Sequence, residues 1–122
     1  MAIRVLVIED NDVFRHALEV LLALDGEIEI AGSEAGGDAG LERCRELSPD
    51  VAVVDYRLPT MDRVQVTRLL REHCPEVAVV ALTAAAEPRE REALLDAGAA
   101  FCIGKDRPLD EIVAAVREAA WT

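Results

Sequence analysis

Rings are scarce in this chain. Phe, Tyr and Trp together make up 3% of it, although 52% is hydrophobic. The interior must therefore be filled by Val, Leu, Ile and Ala, and there are too few rings to stack on bases or sugars. Positive charge is short as well: 13 Lys and Arg stand against 24 Asp and Glu, a formal charge of −11. Such a surface repels nucleic acid and anionic headgroups, so neither direct DNA binding by this segment nor membrane attachment is expected. No apolar run approaches the ~20 residues of a bilayer span. Met1 leads almost directly into a strand-like run, without the charged and apolar regions of a signal peptide. Cysteine is limited to Cys44, Cys74 and Cys102, odd in number, without C-x-x-C spacing and each set in an apolar pattern. That fits a reducing compartment better than a disulfide framework, so all three are read as small core residues and a cytoplasmic location is expected.

What the chain does have is a regular alternation of strand and helix patterns. Its 122 residues suit a single domain, and a chain of that size buries roughly two-thirds of its unfolded surface without disulfides or a structural metal. Ile3 to Ile8 is a continuous apolar run broken only by Arg4, as in a strand covered on both faces. Val13, Ala17, Leu21 and Leu24 then recur at helical spacing, with Asp10, Asn11 or Asp12 as N-cap and Gly26 as stop. A second strand is read around Ile28 and Ile30. A helix with Leu41, Cys44 and Leu47 follows, and Ser48-Pro49 ends it.

The third strand is Val51 to Val54. Beyond Leu58-Pro59-Thr60, a helix carries Val66, Leu69, Leu70 and His73 on one face until Cys74-Pro75 stops it. Val77 to Leu82 is the fourth strand, and Pro88 opens a helix through Leu94 to Ala97 that Gly98 ends. Phe101 to Ile103 is the fifth strand, and Pro108 opens a last helix with Leu109, Ile112, Val113 and Val116 facing inward. Five β-α units with short links predict an α/β fold: a five-stranded parallel sheet, order 2-1-3-4-5, with helices on both faces. Glu19, Glu42, Glu46, Glu90, Glu92, Asp110 and Glu118 read as solvated charge on the helices.

Polar residues that suit one site close four of the apolar runs: Glu9-Asp10, Asp55, Thr83 and Lys105. In that strand order they gather at the carboxyl edge, where α/β sheets bind ligands. Carboxylates crowded there repel one another, and a divalent cation offsets the cost. An oxygen-only donor set favours magnesium; zinc would want His or Cys, and Glu9-Asp10-Asn11-Asp12 lacks the spacing of a calcium-binding EF-hand loop. An Asp carboxylate can accept a phosphoryl group, with Lys105 and the metal neutralising its oxygens and Thr83 donating a hydrogen bond. His16 and His73 lie on separate predicted helices and are read as structural.

From Ile3 to Ala120 the chain resembles the receiver domains of bacterial two-component response regulators. The residues that carry the likeness are Val5-Leu6-Val7-Ile8-Glu9-Asp10, Val53-Val54-Asp55-Tyr56-Arg57-Leu58-Pro59-Thr60-Met61-Asp62, Leu82-Thr83-Ala84, Ala97-Gly98-Ala99 and Lys105-Asp106. The resemblance implies that Asp55 accepts a phosphoryl group from a sensor histidine kinase or a small phosphodonor. Asp10, Asp55 and the backbone carbonyl of Arg57 would then hold magnesium, and Glu9 would act through a metal-bound water. Thr83 and Lys105 match the residues that grip the phosphoryl oxygens, and the only catalysis implied is self-phosphorylation and self-hydrolysis. Output would pass through the face made by the fourth helix, fifth strand and fifth helix, to a homodimer partner or to a downstream effector domain or protein.

Some positions depart from the family pattern. Cys102 stands where an aromatic usually precedes the lysine, with Phe101 one place earlier and on the opposite strand face. Arg63 replaces a common Gly, and Asp106 replaces the Pro that usually follows the lysine. Lys-Asp-x-Pro resembles receivers joined to helix-turn-helix output domains. Arg57 and Ala85, two residues past Asp55 and Thr83, are candidate tuning positions. Two other readings stay open: a receiver-like scaffold that is never phosphorylated, and a flavodoxin-like cofactor protein. The acids of the first βα turn weigh against a flavin phosphate.

Overall fold

The computed structural model describes residues 2–55, 63–83 and 88–121. The elements alternate throughout: β1 (Ile3–Glu9), α1 (Asp12–Ala23), β2 (Ile28–Glu34), α2 (Gly37–Leu47), β3 (Val51–Asp55), α3 (Arg63–His73), β4 (Ala78–Thr83), α4 (Pro88–Asp96), β5 (Phe101–Gly104) and α5 (Leu109–Ala120). All pairings are parallel, and the strand order is β2-β1-β3-β4-β5, as the sequence predicts.

Period-2 alternation divides the strands between two cores. Val5, Val7, Val51, Val53, Val80 and Leu82 pack against Leu18 and Leu22 of α1 and Ile112 and Val116 of α5. Leu6, Ile8, Ala52, Val54, Val79 and Ala81 face the other way, toward Cys44 of α2, Val66 and Leu70 of α3 and Leu94 of α4. Phe101 and Cys102 fall on opposite sides, as expected. Full burial of a side chain such as Leu22 or Leu70 contributes about 1.5–3 kcal/mol.

Local signals set the ends of the elements. Asn11 is the N-cap of α1, its side chain accepting from the Phe14 N–H at 2.9 Å. Gly98 follows α4 at φ +111°, and a Cβ there would lie 2.7 Å from Arg71 Cγ, so glycine is required on both counts. At Gly40 an added Cβ would sit 2.5 Å from Ile8 Cδ1, which lets α2 lie close against β1.

Some expected helix faces differ. The buried stripe of α1 is Leu18 and Leu22, flanked by Phe14; Val13 and Leu24 are 82% and 78% exposed. Asp12, Arg15, His16 and Glu19 form one polar face, and the wide apolar remainder of the helix holds two stripes at helical spacing, of which packing on the sheet covers the one with Leu18 and Leu22. Leu109, at the first turn of α5, and His73, at the last turn of α3, are also exposed.

Candidate acceptor site at the carboxyl edge of the sheet

Among the described residues, five polar or charged side chains are buried: Glu9, Asp55, Arg63, Thr67 and Thr83. All five come from the carboxyl ends of β1, β3 and β4 or the first two turns of α3. The register sets Glu9 beside Asp55, and Thr83 beside Gly104, one residue before Lys105. The Lys105 N–H donates to the Thr83 carbonyl at 2.7 Å, which ties the end of β5 to that of β4.

The Lys105 ammonium is the hub. It lies 3.1 Å from Glu9 Oε1, pairs with Asp55 Oδ2, and sits 4.2 Å from the centre of the Phe14 ring. Ring and carboxylates both favour the cation there. Arg15 supports the floor of the site by donating to the Glu9 carbonyl at 2.8 Å.

A second cation approaches from the opposite side. Arg63, on the first turn of α3 and 4% exposed, brings Nη2 to 3.6 Å from Asp55 Oδ1. Its Nη1 pairs with Glu90 on the first turn of α4. Glu90 was read as a solvated charge, but it is the partner of a buried guanidinium. Each Asp55 oxygen thus faces one cation.

Burial, then the adjacent Asp55 carboxylate, pushes the Glu9 carboxyl up to about 8; Lys105 opposes this without cancelling it. Burial alone would lower Lys105, but Asp55 and Glu9 more than offset it and the ammonium is raised. Burial raises the Cys102 thiol, with Arg91 and Arg63 opposing. A small inert thiol is what a core position calls for.

The sequence-predicted residues are distributed as follows. Glu9, Asp55 and Lys105 meet directly, and Thr83 is buried at the end of β4, next to β3. Asp10 is exposed, one residue beyond β1. Arg57 and Ala85 lie outside the described residues. The spacing of apolar runs did not point to Phe14, Arg63 as a site residue, or Glu90. An arginine where the resembled family has glycine was the one available signal.

Among the described residues, no three His, Cys, Asp or Glu stand together as a metal cage. Glu9 and Asp55 supply carboxylate oxygens only, and Glu9 Oε2 is buried without a hydrogen-bond partner. That pair fits magnesium, which takes one or two carboxylates and fills its other positions with water and phosphate oxygens.

The response regulator receiver domain family matches residues 5–117. The chain belongs to this family. It is a receiver domain of the two-component response regulator type, a signalling module. Response regulator GacA of Pseudomonas viridiflava is 40% identical over 117 residues, covering 94% of this receiver and 54% of that protein. Response regulator protein VraR of Staphylococcus epidermidis is 32% identical over 118 residues, covering 97% and 56%. The receiver thus spans about half the length of these curated relatives. The signal receiver domain of NarL from Mycobacterium tuberculosis superimposes with a TM-score of 0.92 at 36% identity, covering 98% of this chain and 97% of that one. Among the described residues, no helix is long and apolar enough to cross a membrane.

Proposed function

We propose that Asp55 is a phospho-acceptor and that this receiver takes a phosphoryl group from a sensor histidine kinase or a small phosphodonor. The observation that carries the reading is the Lys105 ammonium, drawn onto a buried Asp55 and its neighbour Glu9 at one strand edge. An Asp55 oxygen forms the new O–P bond as the donor's bond to phosphorus breaks, P–N in a phosphohistidine or P–O in acetyl phosphate. The bonding pair leaves on the donor's nitrogen or oxygen. Lys105 holds the acceptor and then neutralises the phosphoryl oxygens, and the Thr83 hydroxyl donates to one of them.

As the resembled family uses them, Asp10, Asp55 and the Arg57 carbonyl would hold magnesium, with Glu9 acting through a metal-bound water, and the ion would supply charge neutralisation when bound. The ~−2 charge of the phosphoryl group then alters the face formed by α4, β5 and α5, which engages a second copy or a downstream effector. The test is incubation with magnesium and acetyl phosphate followed by intact mass. One added phosphoryl group is expected, absent from Asp55→Asn. An unmodified wild type would favour the non-phosphorylated scaffold instead.

A further inference from the structure

Arg63 is an unusual group to find at this edge. It is 4% exposed, its side chain spans from Asp55 on β3 to Glu90 on α4, and among the described residues these two carboxylates are its ion-pair partners. Nη2 stands 3.6 Å from Asp55 Oδ1, beyond hydrogen-bond range, and Nε is buried with no hydrogen-bond partner. A guanidinium offers five N–H donors in a rigid fork matched to the oxygens of a carboxylate or phosphoryl group. Here Nη1 is spent on Glu90, and Nη2 approaches the acceptor without closing on it. Lys105 pairs with Asp55 at the other oxygen.

A phosphoryl group on Asp55 would change this balance. It adds ~−2 charge and three strong acceptor oxygens within reach of a cation that has donors to spare. A partly exposed carboxylate such as Glu90 competes poorly with it, because water can solvate Glu90 once it is released; its side chain is 23% exposed.

Taking as given that Asp55 is the acceptor, we propose that Arg63 is a second phosphoryl-binding cation and that it gives up Glu90 when Asp55 is phosphorylated. The Arg63–Glu90 pair is then a latch on the first turn of α4 that opens from inside the site. Burial of Cys102 in the core leaves no aromatic there to report on Thr83; the latch supplies a separate route from the acceptor to α4, carried by charge.

The test uses the whole chain with magnesium and acetyl phosphate, following phosphoryl uptake by intact mass and amide hydrogen exchange over residues 88–96 with and without the phosphodonor. In the wild type, phosphorylation should raise exchange across α4. Glu90→Gln should take up phosphate at least as fast as the wild type, show raised α4 exchange from the start, and gain little more on phosphorylation. Arg63→Ala should slow uptake on the order of tenfold or more, since each donor aimed at developing charge can carry such a factor. It should also abolish the exchange response. Arg63→Lys, which keeps the charge without the fork, should restore uptake in part and the α4 response not at all.

A Glu90→Gln protein whose α4 responds like the wild type would overturn the proposal, as would Arg63→Ala with wild-type uptake and coupling. Glu90 is partly exposed, so its variant keeps the test decisive even if removal of Arg63 impairs folding. A wild type that takes up no phosphate overturns the acceptor reading itself, and that outcome is visible in its mass spectrum before any variant is compared.

Discussion

The two ends of the sheet use the same kinds of side chains and treat them differently. At the amino end, Asp50 accepts from the Arg4 N–H at 2.9 Å, and the Arg4 guanidinium donates to the Leu47 carbonyl at 2.6 Å. Asp25 accepts from the Glu27 N–H at 2.9 Å and from Arg117 at 2.8 and 3.0 Å. These groups are in contact with water and carry hydrogen-bond partners, and the Arg117–Asp25 pair ties α5 to the turn before β2. At the carboxyl end, Glu9, Asp55 and Arg63 are buried, and Glu9 Oε2, Asp55 Oδ2 and Arg63 Nε have no hydrogen-bond partner among the described residues.

Burial without full satisfaction is what separates the ends. Low local dielectric makes the unmet capacity costly, and a ligand that meets it gains what the fold gave up. A cavity of about 490 Å³ opens at the amino end beside Cys44, His73 and Cys74. Its Cys44 thiol is pushed up to about 12 by burial and by Cys74, which keeps it from acting as a nucleophile.

The largest expected effect is that of Asp55→Asn: complete loss of phosphoryl uptake by intact mass, with cooperative unfolding retained. No substitution at Asp50 or Asp25 should do this. If either did, the contrast between the ends would fail.

Next in size is Lys105→Met, which removes the cation paired with the buried Asp55 carboxylate. Urea unfolding at pH 7 should show a loss of about 1–3 kcal/mol, together with slower uptake. A gain in stability would mean that the ammonium costs more to bury than its pairs return.

Glu9→Gln should act in the opposite direction. The folded protein holds the Glu9 proton up to about pH 8, whereas the unfolded chain releases it near 4.5. Glu9 therefore contributes stability that is complete below about pH 4.5 and drains away as pH rises toward 8. Thermal melts in chelator should show this decline in the wild type and a flatter profile in the variant, which at pH 8 should be the more stable by more than about 1 kcal/mol. Magnesium should reverse the decline in the wild type and have less effect on the variant.

The smallest effect is that of Asp25→Asn at the amino end. The Glu27 N–H, then Arg117, lower the Asp25 carboxyl below its usual 3.8. Its contribution is therefore present above that pH and lost as pH falls through the folded value. Melts should show a slight deficit at pH 7 that closes in acid, with no response to magnesium. A deficit as large as that of Lys105→Met would erase the distinction between satisfied and unsatisfied charge.

Much of the acceptor edge could be read directly from the chain. Glu9, Asp55, Thr83 and Lys105 each terminate or follow a short apolar run, and parallel strands bring their carboxyl ends to one edge, so linear position translates into proximity. Arg63 and Glu90 could not be paired in this way. They sit on the first turns of different helices, and neither helical period nor charge indicates which two first turns will touch. The face of α1 was ambiguous for a related reason: Val13, Ala17 and Leu24 keep helical spacing as well as Phe14, Leu18 and Leu22 do.

By itself, the sequence determined the number and order of elements, the parallel sheet, the mainly aliphatic interior and the acids and lysine at the strand ends. All of these follow from period, punctuation and chain length, which are local properties. Only the tertiary structure decided which stripe of α1 is covered, that Glu90 is a partner and not a solvated charge, and that a buried arginine bridges the acceptor and α4. Those outcomes depend on how helices settle against a twisted sheet, where packing and desolvation between distant segments outweigh any preference carried within one of them.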